Sequence, residues 1–65
     1  MDDWVDALED LPLLDPKFKN CSRDVKCMLA DGTIVDGYYA YHLDKWRYAK
    51  NSFTIKQDVV KWRDK

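Results

Sequence analysis

Apolar and polar residues alternate with a period of two along much of the second half of the chain. Val25-Lys26-Cys27-Met28-Leu29-Ala30 and Thr33-Ile34-Val35-Asp36-Gly37-Tyr38-Tyr39-Ala40-Tyr41 flank the pair Asp31-Gly32. An Asp-Gly pair between two β-prone runs predicts a tight hairpin, because glycine accepts the positive φ that the favoured turn demands. A two-residue loop sets Leu29 opposite Ile34, Cys27 opposite Asp36 and Val25 opposite Tyr38. The expected core face is then Val25, Cys27, Leu29, Ile34 and Tyr38, with Lys26, Met28, Val35 and Tyr39 on the other. Gly37 inside a strand predicts a bulge or a sharp bend that lets the sheet curl.

Two further strands follow from the same alternation. Lys45–Ala49 sets Trp46 and Tyr48 on one side and Arg47 on the other. Val59–Arg63 points Val60 and Trp62 inward and Lys61 and Arg63 to water. Asn51-Ser52 reads as a turn, and Phe53-Thr54-Ile55 as a further extended piece.

The first part of the chain carries a different pattern. Asp3 through Leu11 reads as a short helix, with Asp2 or Asp3 as its cap and Trp4, Val5, Leu8 and Leu11 on one stripe. Pro12 stops it and Pro16 prevents an immediate restart. So short a helix is unstable alone in water, so it must dock through Trp4 and Leu8 or else be extended instead. Pro12 to Ser22 reads as a loop anchored by Phe18. The fold class expected is α+β: a short N-terminal helix followed by a small curled antiparallel β-sheet of three to five strands, with residues 1–65 as a single domain.

Composition narrows the function classes. The chain has 65 residues, 46% of them hydrophobic and 14% aromatic, which favours a packed core over disorder. A core in so short a chain is small, which makes a homo-oligomer an open expectation. The two cysteines, Cys21 and Cys27, are fewer than a secreted disulfide scaffold would carry. Met1-Asp2-Asp3 is acidic where a signal peptide is basic, and no apolar run approaches the roughly 18 residues needed to span a bilayer. A cytoplasmic setting with both thiols reduced is expected, Cys27 in the core and Cys21 nearer the surface.

Candidate chemistry is sparse. His42, the single histidine, lies beside Asp44 in what reads as a loop, a setting that favours a surface residue over a catalytic base. There is no glycine-rich phosphate loop. Cys21, Cys27 and His42 fall one ligand short of a structural zinc site and lack its paired spacing. The expectation is no enzyme, no cofactor and no metal.

Binding is better supported. Tyr38, Tyr39, Tyr41, Trp46 and Tyr48 crowd a stretch that one face of a strand pair cannot bury whole, so Tyr39 and Tyr41 are expected on the second face or its rim. Tyr, Trp and Arg are the residue types enriched at binding hot spots. Residues 1–15 hold six carboxylates and no base, whereas Lys45, Arg47, Lys50, Lys56, Lys61, Arg63 and Lys65 crowd the tail against Asp58 and Asp64. The contact surface is assigned to Tyr39, Tyr41, Arg47 and Lys50, with Lys61 and Arg63 joining through the basic tail. The acidic head is a second candidate face, able to imitate nucleic acid. Single-stranded nucleic acid is an alternative partner. Against it stand the pI of about 5.6 and an expected opposition of aromatics and cations across the sheet. A small oligomer sequestering a ligand in aromatic pockets is a third reading.

Taken in order, Trp4, Leu11-Pro12, an apolar strand, Asp31-Gly32, Gly37-Tyr38-Tyr39, Trp46 and Val59 with Trp62 form a pattern. It resembles a family of small domains of unknown function abundant in bacteriophage and prophage genomes, with W-x6-L-P, D-G, G-Y-Y, a single W and a closing V-x-x-W. The resemblance spans nearly the whole chain and brings no catalytic residues. Two features depart from the pattern: the segment from Trp4 to Pro12 is more acidic, and no proline-rich tail follows Trp62. The resemblance implies a phage accessory protein, acting in the cytoplasm of an infected bacterium, that binds and inhibits or redirects a host protein, including one of a defence system.

Overall fold

The computed structural model describes residues 4–18 and 20–65. The chain is all-β, with five strands in one antiparallel sheet: β1 (Val5–Asp6), β2 (Val25–Leu29), β3 (Ile34–Ala40), β4 (Lys45–Tyr48) and β5 (Val59–Asp64). Their order is β1-β5-β2-β3-β4, so the last strand lies between the first two.

The expected α+β class is therefore corrected: no helix occurs among the described residues. Val5 pairs with Trp62 and Asp6 with Lys61, so the segment read as a helix instead supplies the sheet's edge. Its helical signals are used up in a single turn. The backbone N–H groups of Glu9 and Asp10 donate to the Asp6 carbonyl at 3.1 and 3.0 Å, while Leu8 N donates to Asp6 Oδ1 at 2.9 Å. One capped turn is an unfavourable nucleus, and Pro12 prevents its growth. Pairing with β5 ties the segment to a sheet already held by tertiary packing, whereas a nine-residue helix is marginal on its own. Capping by Asp2 or Asp3 lies outside the described residues. Leu8, expected to dock, is 95% exposed, and Phe18, expected as an anchor, is 57% exposed.

The β2–β3 register also differs from the expectation, by one residue. Met28 pairs with Ile34, Cys27 with Val35, Lys26 with Asp36 and Val25 with Gly37. The cause is the loop length. Leu29 N donates to the Thr33 carbonyl at 2.8 Å and Gly32 N to the Leu29 carbonyl at 2.9 Å, closing a loop of Ala30-Asp31-Gly32. Gly32 takes φ +91°, the left-handed position such three-residue loops need. A slip of one residue exchanges the faces of a strand. Val35, Gly37 and Tyr39 consequently face the core with Val25, Cys27 and Leu29, while Ile34 is half exposed.

A second irregularity corrects the inward set of β5. Met28 pairs with Lys61 but Leu29 with Val59, leaving Val60 as the extra residue of a bulge. Val59 is buried in place of Val60, and Trp62 packs on the core as expected. Ile55 comes from the extended piece 53–55, which runs along β4: Ile55 N donates to the Trp46 carbonyl and Tyr48 N to the Phe53 carbonyl, both at 2.9 Å. The core is Val25, Cys27, Leu29, Ile55 and Val59, flanked by Ala7, Val35, Trp46, Tyr48 and Trp62.

Gly37 marks a close approach between strands. A Cβ there would lie 2.7 Å from the Arg47 carbonyl oxygen and 3.1 Å from Cys27 Sγ. The first neighbour is backbone and cannot swing aside. Gly37→Ala should therefore cost about 1–3 kcal/mol and lower the urea midpoint of unfolding at unchanged slope. A midpoint equal to wild type would show that β3 and β4 separate without penalty.

Two buried groups make stability depend on alkaline pH. Burial, and then the charge of Asp36, push the Cys27 thiol from 9.0 up to about 12. Burial, and then the hydrogen bond to Asp44, raise the Tyr39 phenol from 10.0 to about 12. Both groups stay neutral in the folded chain after they ionise in the unfolded one. Their contribution is whole below pH 9 and is lost as pH rises from there to about 12. The urea midpoint should decline across that window, and phenolate absorbance should report one tyrosine ionising near its upper end.

Candidate functional site

The register sorts the polar side chains. Residues paired across the ladder share a face, so Lys26, Asp36 and Arg63 form one row on the side away from the core, and Met28, Ile34 and Lys61 the next. Tyr38 stands opposite Arg47, and Asp6 opposite Lys61, on the same side. Trp4 joins them, with the Arg63 guanidinium 5.8 Å from its ring centre. Lys26, Ile34 and Asp36 are exposed; Met28, Tyr38, Arg47, Lys61 and Arg63 are half-buried. Among the described residues this open face carries Lys26, Arg47, Lys61 and Arg63, with Lys45 opposite Ala40 at its edge and the carboxylates of Asp6 and Asp36 beside them.

The ion pairs around Asp36 are exposed. Asp36 forms ion pairs with Lys26 at 3.9 Å and with Lys65 at 3.6 Å, all three side chains being near half exposure. Exposed pairs of this kind contribute little to stability, which leaves their cations available to a partner. Arg47 Nε is buried and makes no hydrogen bond among the described residues.

The six residues assigned to contact from the sequence are divided among three places. Arg47, Lys61 and Arg63 share the open face, Arg47 on β4 and the other two on β5, with β2 and β3 between them. Lys50 stands in the turn after β4, its Nζ 6.0 Å from the centre of the Tyr48 ring. Tyr39 and Tyr41 lie on the opposite side. Tyr39 is 5% exposed, so it is a core residue and not a rim residue. Its hydroxyl donates to Asp44 Oδ1, and that of half-buried Tyr41 donates to the Pro12 carbonyl. Tyr38, Lys26 and Trp4 are the members of the open face that the sequence reading left out. A glycine placed third in the loop was the available signal: read as a three-residue loop, it turns Tyr38 outward and Tyr39 in.

The core side opens into a cleft of about 1200 Å³ between residues 6–11 and 54–61, with Tyr39, Tyr41 and Trp46 in its lining. The Tyr39 ring meets those of Tyr41 and Trp46 edge-on, at 4.9 and 5.1 Å between centres. The near wall is tied down by Trp62, whose Nε1 donates to the Asp10 carbonyl at 2.9 Å.

His42 is exposed in the turn after β3. Both cysteines are free thiols, Cys27 buried and Cys21 half-buried. Among the described residues no three His, Cys, Asp or Glu side chains gather as a metal site would require, and no helix is long and apolar enough to cross a membrane.

Tyr39→Ala would remove a buried aromatic ring from a small core. The expected cost of about 3–5 kcal/mol is comparable to the whole stability of a chain this size, so the cooperative thermal transition should vanish. Tyr41→Phe keeps its ring and loses one hydrogen bond, at about 1 kcal/mol. Circular dichroism melts of the two variants distinguish a core residue from a surface one. No protein-family model matches the chain, and no curated protein or solved structure matches it either.

Proposed function

We propose that this chain is a non-catalytic binding module that engages a host protein through the open face of its sheet. The setting we propose is the cytoplasm of a bacterium infected by a phage, where the module inhibits or redirects that protein, including one of a defence system. The reading rests on one observation: Lys26, Arg47, Lys61 and Arg63 share a face with Tyr38 and Trp4. Arginines and aromatic rings that are half-buried before binding lose little side-chain freedom on contact, which suits them as anchors. The excess of positive charge favours an acidic surface on the partner and fast, salt-sensitive association. The resemblance to phage domains supplies the biological setting.

A second reading, single-stranded nucleic acid, is favoured by the pairing of Tyr38 with Arg47. Stacking and phosphate contact need a shared face, and these two side chains have one.

Lys26→Glu/Lys61→Glu reverses two charges at the surface and should leave the far-ultraviolet spectrum unchanged. Tagged wild-type protein should retain one stoichiometric host protein from a nuclease-treated lysate, and the variant should retain about tenfold less, the equivalent of about 1.4 kcal/mol. Equal retention by both would place the contact elsewhere. Loss of all captured material on nuclease treatment, with affinity falling steeply with salt, would favour the nucleic-acid reading.

A further inference from the structure

The cleft on the core side has its own chemistry, meeting the open face only at the cross-strand pair Asp6 and Lys61. Among the described residues its charged lining is Asp6, Glu9, Asp10, Asp44 and Asp58 against Lys45, Lys56 and Lys61. That is five carboxylates to three amines, in a chain whose opposite sheet face is rich in cations. Tyr39, Tyr41 and Trp46 stand among these groups, with Tyr39 at interplanar angles of 87° and 70° to its two neighbours. Tyr39 is buried, whereas Tyr41 and Trp46 are half-buried and remain in reach of a ligand.

Asp44 is the carboxylate nearest in sequence to these rings, and it is held in place. It has φ +55° in the turn between β3 and β4, and it accepts from the Tyr39 hydroxyl. Leu8 at the rim is 95% exposed, and Val60, the bulged residue, is 39% exposed; both line the cleft with Leu11. The cleft thus offers aromatic rings, a positioned carboxylate and an apolar rim together.

We infer that this cleft binds a lysine or arginine side chain of a partner protein, with the cationic head against Trp46, Tyr41 and Asp44 and the aliphatic stem along Leu8, Leu11 and Val60. A cation gains from an aromatic face within about 6 Å of the ring centre, and more when it is partly desolvated. Long basic side chains bury their stems on apolar surface while the head reaches charge. An anion would meet the carboxylate excess, and a bare metal ion would find no three-ligand cluster among the described residues.

The test uses the whole, isotope-labelled chain with two capped probes, tetralysine and tetraglutamate, followed by nitrogen–proton correlation spectra. Tetralysine should produce saturable shifts at the Trp46 indole N–H and at the backbone of Asp44, Ile55 and Val59, and tetraglutamate none there. Glu9→Gln/Asp44→Asn keeps a hydrogen-bond acceptor for Tyr39 and a residue type that tolerates positive φ. It should weaken tetralysine binding about tenfold, the equivalent of about 1.4 kcal/mol. Shifts centred on other acidic residues, an unchanged affinity in that variant, or equal response to both probes would each overturn the proposal. Lys26→Glu, on the open face, should leave tetralysine affinity unreduced, which separates this site from the host-protein surface proposed above.

Discussion

In a sheet, side chains alternate between faces, so a hairpin loop longer by one residue exchanges every inward position of the returning strand for an outward one. Here Gly32 at φ +91° closes a three-residue loop, and the hydrogen bond from Leu29 N to the Thr33 carbonyl fixes the count. Everything downstream inherits that choice. Tyr39 enters the core, where its hydroxyl meets Asp44 and its ring meets Tyr41 and Trp46. Gly37 falls where β3 crosses closest to the Arg47 carbonyl. Tyr38 is left outside, directly across from Arg47.

A five-stranded sheet of this size cannot bury its own concave face without help, and the N-terminal segment supplies it. Val5 and Asp6 extend the sheet by pairing with β5, and the chain then turns over the core. Two long-range hydrogen bonds hold it there: Trp62 Nε1 to the Asp10 carbonyl, and the Tyr41 hydroxyl to the Pro12 carbonyl. Pro12 itself is buried, which suits a residue with no N–H to satisfy. Ser22 secures the next return. Its backbone N–H donates to the Tyr39 carbonyl, and its hydroxyl oxygen accepts from Tyr39 N, each at 2.9 Å. A buried donor on β3 beyond the end of β2 would otherwise have no partner. Residues 11–18 and 20–22 therefore act as a strap, although they contain little regular structure.

The strands β2 to β5 were legible in the sequence because alternation over four or more residues is a strong signal, and the Asp31-Gly32 turn because few residues tolerate positive φ. The piece around Phe53–Ile55 was legible for the same reason. The helix expected over residues 3–11 was not formed, because cap and stripe signals are local whereas the pairing of Val5 with Trp62 spans most of the chain. Nothing in a nine-residue window reports that a partner edge is waiting. The register was misjudged because an Asp-Gly pair fits both two- and three-residue loops. The bulge at Val60 was invisible, since adjacent valines fit either face. Of the six assigned contact residues, Arg47, Lys61 and Arg63 were placed together because they share parity within their strands. Tyr39 was misplaced by the register error alone.

The same parity explains why many cations gather on one side of the sheet despite a net charge of −1. Lys26, Lys61 and Arg63 occupy alternate positions of the paired strands β2 and β5, and Arg47 takes the same side on β4, across β3. The carboxylates of Glu9, Asp10, Asp44 and Asp58 sit in turns and straps, which pass over the other side of the sheet. Cations in strands and carboxylates in connections make a bipolar molecule whenever the connections cross one face. Two surfaces of opposite sign, separated by the thickness of one sheet, can engage different groups of one partner without competing. In that geometry the core is shared by both surfaces, so a substitution that loosens it, such as at Tyr39, weakens them together, whereas a charge change at Lys26 or Asp44, each on one side only, acts alone.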